Sequence, residues 1–397
     1  MTAASRGSRP PAIVLGQVNA LSVIRSLGRR GVPVTYVGDY HERFVHSRHG
    51  GWLPLPEGAG SWKERALALL TGPSSDHLAG AVLLPCDDPS AELLAEHADA
   101  LSARFRPILS APEAQRCLLD KLATYRAARD AGVPTPRFWP VESVADLDAV
   151  RDELVYPLIV KPRTSILFQQ AFGGLKHFDA GTAEEARTAV ARAEAAGVGV
   201  TLVERIVAPD SALRSYYTWI GRDGEPLVHF TKRLFRRSPP GMGPATYHVT
   251  DWIPDIRDPA LRLLRHVGLR GICQVEFIRD PRDGVDKLIE CNVRFTQPNS
   301  LIAAAGIDLP WIAYLDAGGM RPGRVDGFRR GVRLWDPQRD YRAYRQLRDR
   351  GELTLAGWLA ALRPAHLDTL SLSDPRPTLV PLARAVRRRG RNGSAPG

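Results

Sequence analysis

The stretch ECNVR at residues 290–294, together with QVEF at residues 274–277, decides the fold of this chain. Both stretches lie in apolar runs, residues 271–278 and 287–295, which the turn-rich segment RDPRDGVD separates. Two apolar runs joined by a short turn are typical of a β-hairpin. The sequence therefore predicts a pair of adjacent strands that carry polar residues at alternate positions.

The polar residues of this hairpin suit metal binding and anion binding. Alternate side chains of a strand share a face, so we expect Gln274 and Glu276 on one face, and Glu290, Asn292 and Arg294 on one face of the partner strand. Two carboxylates brought together repel each other without a cation, and oxygen donors of this kind suit Mg2+. An arginine on the same face would bind a phosphate or a carboxylate in bidentate fashion. Ordinary polar alternation in a surface hairpin would give the same pattern.

Length and composition indicate a soluble globular protein of two or three domains. The chain has 397 residues, of which 44% are hydrophobic and 24% charged, values typical of that class. No apolar run approaches the length that spans a bilayer, and we interpret residues 12–15 as a buried strand and not as a signal peptide. The cysteines at 86, 117, 273 and 291 lack metal or disulfide spacing, which favours reduced thiols and a cytoplasmic location.

The net charge of +11 comes mostly from arginine, since only six of the 54 basic residues are lysine. Such a bias is typical of a GC-rich coding background, and the arginines are scattered among acids, so we do not expect nucleic-acid binding. A lysine retained in such a chain suggests a need for a compact point charge. The basic tail, with arginines at 384, 387, 388, 389 and 391, could contact anionic lipid or could be a solvated helix end.

The first residues predict an α/β unit with parallel strands. A strand at 12–15, a loop GQVN, a helix reaching Arg30 and a strand at 32–37 follow one another. No complete G-x-G-x-x-G is present, so a dinucleotide site is not predicted. A strand at 81–85 ends before Asp87-Asp88, where such a fold presents residues to a ligand. The same pair could instead cap the helix that follows.

Two lysines stand at the ends of predicted elements. A helix begins near Asp120-Lys121 and stops at Gly132. An apolar strand ends in Lys161, and Pro162 stops its ladder. Lys161 could simply reach solvent, whereas a cation at Lys121 opposes the helix dipole, so an anionic ligand explains it better.

The sequence also predicts several further segments. They are a flexible polar loop at 163–178, a helix at 182–196, a strand at 200–207 that carries Glu204, a hairpin turning at 222–224, an irregular loop at 236–247 and a helical segment over the last 70 residues.

In this order the segments resemble the ATP-grasp superfamily of carboxylate–amine ligases. The resemblance runs from about Ala81 to Pro310 and rests on an ordered set of motifs. The set is DK before a helix ending GVPTP, a strand ending VKP, a Gly-Gly loop, a strand VER, a hairpin ending KR, then QVEF and ECNVRF. Each motif is weak singly, whereas the ordered set is fairly specific. The loop RRSPPGMGPATY and the segment SDPRP also resemble the branch that contains D-aspartate ligases.

The resemblance implies a fold class and a domain order. The expected chain is α/β, with an N-terminal parallel-sheet (pre-ATP-grasp) domain at 1–115. An α+β ATP-grasp domain follows at 116–320, with a lid at about 125–203. A helical C-terminal extension at 321–397 carries the basic tail.

The resemblance also implies roles for single residues. Lys121 and Lys161 match lysines that contact ATP phosphates, and Glu204, with the backbone of Arg205 and Ile206, matches the adenine-binding hinge, although Glu204 could equally be an ordinary edge-strand charge. The remaining matches are Asp210 with a ribose-binding acid, Lys232 or Arg233 with a further phosphate-side cation, Glu276, Glu290 and Asn292 with the magnesium ligands, and Arg294 with the arginine that holds the reacting carboxylate.

The chain departs from the family pattern at two places. The phosphate-covering loop usually contains several glycines and serines, and here residues 163–178 have a bulky apolar middle. Gln274 stands where some relatives have an arginine. Neither departure removes the metal site, and both bear on the rate and on the acyl substrate.

The activity that the resemblance implies is ATP-dependent ligation with Mg2+ or Mn2+. A small-molecule carboxylate attacks the γ-phosphate to give an acyl phosphate, and an amine then displaces phosphate to give an amide. A non-catalytic nucleotide-binding or regulatory protein on the same fold is the alternative, which the intact Glu-Asn set disfavours. Hydrolase chemistry of the triad type is not supported, because no nucleophile with a paired base can be recognised. We expect a cytoplasmic homo-oligomer.

Overall fold

The computed structural model describes residues 9–16, 19–109, 111–241, 243–367 and 369–392, with their side chains except those of Glu42, Ser165 and residues 385–392. The chain forms two compact units. Unit 1 comprises residues 1–110, 294–324 and 366–397, and unit 2 comprises residues 111–293 and 325–365. Within the described ranges, no helix has both the length and the apolar character that a membrane span needs.

The strands are numbered along the chain. They are β1 (Ala12–Leu15), β2 (Val34–Gly38), β3 (Gly51–Pro54), β4 (Val82–Pro85), β5 (Arg106–Pro107), β6 (Phe138–Trp139), β7 (Leu158–Pro162), β8 (Phe178–Ala180), β9 (Val200–Glu204), β10 (Leu213–Ile220), β11 (Phe230–Arg237), β12 (Ala245–Thr250), β13 (Gly271–Arg279), β14 (Asp286–Asn292), β15 (Arg333–Trp335) and β16 (His366–Leu367).

The helices are numbered in the same way. They are α1 (Ala20–Gly28), α2 (Glu42–Val45), α3 (Trp62–Thr71), α4 (Asp88–Glu96), α5 (Ala98–Ser102), α6 (Pro112–Leu119), α7 (Lys121–Asp130), α8 (Val144–Val150), α9 (Ser165–Ala171), α10 (Ala183–Ala195), α11 (Arg257–His266), α12 (Asn299–Ala304), α13 (Leu309–Ala317), α14 (Pro337–Asp349), α15 (Leu355–Ala361) and α16 (Arg376–Asn392).

Unit 1 contains a parallel sheet with the strand order β3-β2-β1-β4-β5. All four residues of β1 are fully buried, which agrees with its uninterrupted apolar sequence, because parallel strands are covered on both faces. The predicted strand–helix–strand opening is confirmed by β1, α1 and β2. Gln17 and Val18 of the predicted GQVN loop lie outside the described residues.

The carboxyl edge of this sheet brings Gly16 and Asp87 together. Leu15 is in register with Pro85, so the residues after both strands emerge side by side. Gly16 has φ +89°, and a Cβ there would lie 2.3 Å from the carboxylate carbon of Asp87. Asp87 accepts a hydrogen bond from the Ser90 amide at 3.0 Å and caps α4. Capping is therefore the structural role of Asp87.

Unit 2 contains a small antiparallel sheet with the order β6-β9-β7-β8. Its core includes the alanine-rich face of α10 and the apolar residues of β7 and β9. The prediction of a flexible loop at 163–178 is wrong in part, because this segment contains α9. Phe168 on α9 is fully buried, and its ring lies 4.7 Å from that of Phe172 and 4.9 Å from that of Phe178. The apolar middle of the segment is thus core.

Unit 2 also contains a larger sheet, in which strands follow the order β14-β13-β10-β11-β12-β15 with antiparallel pairing. The predicted strand at 200–207 ends earlier, at Glu204. The irregular loop predicted at 236–247 is shorter, because β11 extends to Arg237 and β12 begins at Ala245.

The last part of the chain is only partly helical, since it includes β15 and β16. In unit 2, the fully buried carboxylate of Asp340 on α14 accepts hydrogen bonds from Arg236 (2.8 Å), Thr246 (2.8 Å) and Trp358 (2.8 Å). In unit 1, Asp374 accepts from Arg25 at 2.9 Å and from Ser47 at 2.8 Å. Buried ion pairs thus attach the two halves of this region to different units.

Candidate active site

Two glutamates lie directly opposite each other on neighbouring strands of unit 2. Glu276 on β13 is in register with Glu290 on β14, and Gln274 with Asn292. Residues directly opposite on antiparallel strands share a face. The register therefore agrees with the prediction for Gln274 and Glu276 on one strand and for Glu290 and Asn292 on the other, but not for Arg294, which lies beyond the end of β14. Glu290 is 38% exposed, Glu276 is half-buried and Asn292 is buried. Gln274 donates to the Glu276 carboxylate.

Two lysines approach β14 at this point. The ammonium of Lys121, the first residue of α7, lies 3.7 Å from Oε1 of Glu290. Lys161 on β7 donates to the backbone oxygen of Ile289 at 3.2 Å. Burial opposes the charged form of Lys161, but Tyr125 and the Glu290 and Glu276 carboxylates raise its pKa above the ordinary value. The structure therefore brings both predicted lysines to the predicted carboxylate strand.

Tyr125 is a site residue that the sequence reasoning missed. Its hydroxyl accepts from Lys161 Nζ at 3.0 Å and donates to Ile289 O at 3.0 Å. The side chain is 1% exposed, and its ring stacks on Phe138. The spacing from Lys121 carried a signal, because residues four apart on a helix share a face.

Asp120 links the two elements that carry these lysines. Its carboxylate caps α7 by accepting from the Ala123 amide at 3.0 Å. It also accepts from Arg163 Nε at 2.9 Å and from Arg163 Nη2 at 2.7 Å. In return the Lys121 amide donates to Arg163 O at 3.0 Å. The start of α7 and the end of β7 are thus joined, and the sequence reasoning had used Asp120 only as a helix start.

A polar row crosses the larger sheet from the glutamates. Ser215 on β10 is in register with Glu276 on one side and with Lys232 on the other, and Lys232 is in register with Thr250. Lys232 is 4% exposed, and burial lowers its pKa from 10.5 to about 8 while Glu276 acts in the opposite direction. A buried cation thus shares the face of the carboxylate pair.

Arg233 lies on the other face of β11, because successive side chains of a strand alternate. Its guanidinium is exposed and pairs with Asp251 at 2.8 Å. The sequence left undecided whether Lys232 or Arg233 is the further phosphate-side cation. The structure brings Lys232, and not Arg233, to the face of Glu276.

Glu204 ends β9 and is engaged through both oxygens. It accepts from the Arg137 amide at 3.2 Å and from Arg282 Nη1 at 2.5 Å. Burial raises the pKa of Glu204, but Arg282 and the Arg137 amide outweigh it and hold the pKa below its ordinary value. Arg282 also binds the buried carboxylate of Asp280 at 2.5 Å. The end of β9 is therefore linked to the turn of the β13–β14 hairpin.

The other predicted nucleotide-binding residues have protein partners. The Arg205 amide donates to Pro157 O at 2.9 Å, and its side chain pairs with Asp179 at 2.8 Å. Ile206 is 9% exposed. Asp210 accepts from Arg237 Nε at 2.9 Å and from the Gly241 amide at 3.1 Å.

Arg294 does not lie on the strand that was predicted to carry it. β14 ends at Asn292, and Arg294 is grouped with unit 1. There it pairs with Asp88 on α4. The physical reason is the next residue: Phe295 is fully buried, and its amide donates to Pro85 O of β4 at 3.1 Å.

The oxygen atoms of the predicted metal ligands can be compared with the ligands that Mg2+ prefers in proteins. Among the described residues, no group of three or more His, Cys, Asp or Glu could hold an ion. Glu276, Glu290 and Asn292 instead offer two carboxylates and one amide oxygen. Such a set suits Mg2+, which usually keeps waters and takes one or two carboxylates plus phosphate oxygens. The residues present therefore fit the expected ion.

Comparison with known proteins gives partial matches to two enzymes. No protein-family model matches the chain. It is 26% identical over 262 residues to D-aspartate ligase from Enterococcus faecium. The matched region covers 62% of this chain and 61% of that protein. It is 25% identical over 183 residues to the carbamoyl phosphate synthase large chain of Methanobrevibacter smithii, covering 43% of this chain and 16% of the relative. The chain thus spans less than two thirds of the length of either.

Solved structures resemble most of the chain. Biotin carboxylase from Campylobacter jejuni superposes with a TM-score of 0.64 at 16% identity, covering 81% of this chain and 74% of that one. An L-amino acid ligase from Bacillus licheniformis gives 0.60 at 17% identity, with 80% and 78% covered. N5-carboxyaminoimidazole synthetase from Staphylococcus aureus gives 0.61 at 14% identity, with 81% of each covered. The chain therefore shares the fold of these three enzymes and is similar in sequence to D-aspartate ligase over 262 residues.

Proposed function

We propose that this chain is an ATP-dependent carboxylate–amine ligase. A carboxylate attacks the γ-phosphate of ATP to give an acyl phosphate and ADP, and an amine then displaces phosphate to give an amide. The observation that carries the proposal is the register of Glu276 and Glu290, with Asn292 on the same face and the Lys121 ammonium 3.7 Å from Glu290. Carboxylates with adjacent cations suit a metal-bound polyphosphate.

Glu276, Glu290 and Asn292 would hold Mg2+ or Mn2+. When bound, the ion would neutralise the negative charge that develops on the transferred phosphoryl group. The biotin carboxylase structure is described as a β,γ-ATP complex and the synthetase structure as an ADP complex, which supports ATP as the nucleotide.

Lys121 and Lys161 would supply fixed positive charge to the phosphates. Tyr125 holds the Lys161 ammonium against β14, so this charge is in place before ATP binds. Lys232 would add a third cation. Because it is buried, its charge is screened less than that of a surface lysine.

Glu204 and the backbone after it would bind the adenine. The Arg205 amide is already used by Pro157, so only its carbonyl would be offered to the base, and Ile206 would provide an apolar contact. Asp210 would bind a ribose only if its ion pair with Arg237 were broken.

Arg294 would hold the reacting carboxylate. Since it pairs with Asp88 in this structure, binding of the acid would exchange one carboxylate partner for another. The names of two similar proteins, D-aspartate ligase and L-amino acid ligase, support an amino acid as the acid substrate. Residues 163–178 would help to exclude water, which an acyl phosphate requires.

The first experiment measures ADP release by the purified protein with Mg-ATP. Amino acids are offered singly and then in pairs with amines. Glu290→Gln removes the charge of one metal ligand and keeps its shape. Glu225→Gln is the matched control, because Glu225 is exposed in a turn of the same unit. We expect turnover with one acid–amine pair in the parent and the control, and a fall of roughly 100-fold or more in Glu290→Gln.

The possible outcomes separate the candidate functions. ADP release with an acid alone would indicate an acyl phosphate that leaks to water. Mg-dependent ATP binding without turnover for any pair would favour the alternative, a non-catalytic nucleotide-binding protein. Absence of ATP binding would reject the proposal.

The proposal includes a cytoplasmic homo-oligomer that acts on small molecules. Buried free thiols at Cys86, Cys273 and Cys291 support a reducing compartment. Light scattering on the eluting protein measures the assembly state, and a mass equal to one chain would reject the oligomer.

A further inference from the structure

Two buried polar side chains are neighbours on the face of the larger sheet that carries Glu276. His248 on β12 is in register with Leu234 on β11. Two positions further along, Thr250 is in register with Lys232. Because residues two apart on a strand share a face, and residues directly opposite do so too, His248 lies diagonally across from Lys232 on one face. His248 is 2% exposed and Lys232 is 4% exposed.

Neither of these two side chains has a hydrogen-bond partner among the described residues. Both ring nitrogens of His248 are buried without one. The Lys232 ammonium likewise has no hydrogen bond or ion pair in the part of the chain that the structure describes, and the ring of Tyr217 lies 6.0 Å from it. Burying such groups without partners is unfavourable, so their presence needs a physical reason.

The residues opposite His248 are apolar on both sides. Leu234 on β11 and Leu334 on β15 are each in register with it, and both are buried. Neither leucine can donate or accept a hydrogen bond, so an apolar side chain at position 248 would suit its surroundings better than an imidazole. A residue that disagrees with its local packing is typical of a functional site.

The charge states of the two side chains indicate which ligand they can bind. Burial, and then the charge of Lys232, lower the pKa of His248 well below its ordinary value, so the ring is neutral and has one N–H to donate. Lys232 stays mostly charged at about pH 7, because its pKa is about 8. A buried water would leave this charge uncompensated, whereas an anionic oxygen would offset it and accept from both groups.

We propose that Lys232 and His248 together form an oxyanion subsite, which binds an anionic oxygen group of a substrate. Ser215 stands between Lys232 and Glu276 in the row across the sheet. Two strand spacings, roughly 10 Å of backbone, therefore separate Lys232 from the predicted metal ligand. The subsite rests on the proposed function for the identity of its ligand, which is either a phosphoryl group of the nucleotide or a second carboxylate of the acid.

The test is calorimetric titration of the full chain with small anions, without ATP and without Mg2+. Inorganic phosphate is one probe, and free aspartate is the other, with free asparagine as its counterpart that lacks the second carboxylate. His248→Leu replaces the imidazole by an apolar side chain of similar size. We expect the parent to bind phosphate or aspartate, and His248→Leu to bind the same probe roughly tenfold or more weakly, because a hydrogen bond to a charged group is lost.

The probes distinguish the two sources of the anionic group. Binding of phosphate assigns the subsite to a phosphoryl group, and binding of aspartate but not asparagine assigns it to a second carboxylate of the acid. Lys232→Met should weaken binding of the same probe at least as strongly, because the charge is removed. In the double variant the two effects should be less than additive, since both side chains contact one group.

Thermal stability gives a second measurement. His248→Leu should raise the midpoint of thermal unfolding of the ligand-free protein by roughly 2–4 °C, because an apolar side chain replaces a buried group without partners. His266→Leu is the matched control, since His266 is exposed on α11 of the same unit. This control should bind the probes as the parent does. Circular dichroism verifies that each variant is folded.

Three results would overturn the proposal. They are a parent that binds neither phosphate nor aspartate, equal binding by the parent and His248→Leu, and a lowered unfolding midpoint in His248→Leu, which would assign the imidazole a structural role. Anion binding without ADP release for any acid–amine pair would reject the ligase proposal alone. Turnover that depends on Glu290, with equal anion binding by the parent and His248→Leu, would reject the subsite alone.

Discussion

At the scale of single residues, Tyr125 joins a lysine to the strand that carries Glu290. Its hydroxyl lies between Lys161 Nζ and Ile289 O, at 3.0 Å from each. A hydrogen bond to a charged group stabilises its geometry more than a neutral one does. The position of the Lys161 ammonium therefore depends on a residue that itself need not touch ATP.

We predict that Tyr125→Phe lowers kcat/KM for ATP roughly tenfold, the equivalent of about 1.4 kcal/mol. The ring and its stacking on Phe138 remain, so only the hydroxyl is tested. The measurement is steady-state ADP release over a range of ATP concentrations. Tyr341→Phe is the control, because Tyr341 is half exposed and lies outside the site. Unchanged kcat/KM in Tyr125→Phe would contradict the role.

Lys232 predicts a pH dependence. Its pKa is lowered to about 8 by burial, so the free protein loses this cation as pH rises through about 8. We expect kcat/KM for ATP to fall above that pH. In Lys232→Arg, whose side chain stays charged, the alkaline fall should move to higher pH. A fall that stays near 8 in the variant would assign the titration to another group.

The lowered pKa of Lys232 also makes it possible to distinguish activity lost by titration from activity lost by unfolding. Because the folded pKa of Lys232 lies below the unfolded value of 10.5, the unfolded chain binds more protons between about pH 8 and 10.5. The contribution of Lys232 to stability therefore increases with pH in that window. Urea unfolding at two pH values within it checks that lost activity is not lost structure.

At the scale of elements, α9 shows how an apolar segment turns an expected loop into part of a core. Phe168 is fully buried between Phe172 and Phe178. Leu167, its neighbour, is 57% exposed. The aromatic contacts therefore attach α9 to the small sheet of unit 2.

We predict that Phe168→Ala lowers the free energy of unfolding by about 3–5 kcal/mol, the usual effect of truncating a buried Phe. Leu167→Ala should change it by less than about 0.5 kcal/mol, as exposed positions do. Urea unfolding followed by circular dichroism measures both. Equal effects of the two substitutions would contradict the packing of α9.

At the scale of the whole molecule, the two units are each stabilised by residues distant in sequence. In unit 1 the Arg25 guanidinium is 7% exposed, and it pairs with Asp374, which is 1% exposed, at 2.9 Å. Burial opposes ionisation of Asp374, but the Arg48 amide, Arg25 and Ser47 hold its pKa below the ordinary value. This pair attaches the SDPRP segment to α1.

We predict that Asp374→Asn destabilises unit 1 by about 3–5 kcal/mol, because it leaves a buried guanidinium without its counter-charge. The lowered pKa means that the ion pair contributes above the unfolded pKa and is lost as pH falls through the folded one. Acid unfolding should therefore be steeper in the parent than in the variant. Asp76→Asn is the control. The Asp76 side chain is 69% exposed and pairs with Arg104, so this substitution should change the free energy of unfolding by less than about 1 kcal/mol.

Much of the fold and half of the site could be predicted from the sequence. The parallel opening, the start of α7 at Asp120 and the β13–β14 hairpin follow from apolar periodicity and turn residues. The shared face of Glu276 and Glu290 follows from strand alternation. Some errors lie at ends of elements, such as Glu204 and Asn292, where the continuation depends on distant partners. Others concern whole elements, such as α9, which was expected to be a loop.

The sequence by itself determined the strand–helix–strand opening, the β13–β14 hairpin and which residues of that hairpin share a face, together with the ATP-grasp resemblance. These properties are local, because periodicity and turn chemistry act over a few residues. Only the tertiary structure decided that Tyr125 fixes Lys161, that Lys232 and not Arg233 shares the face of Glu276, that Arg294 pairs with Asp88 and that α9 is core. Each of these depends on side chains that pack across strands or helices, and such contacts leave no fixed spacing in the chain.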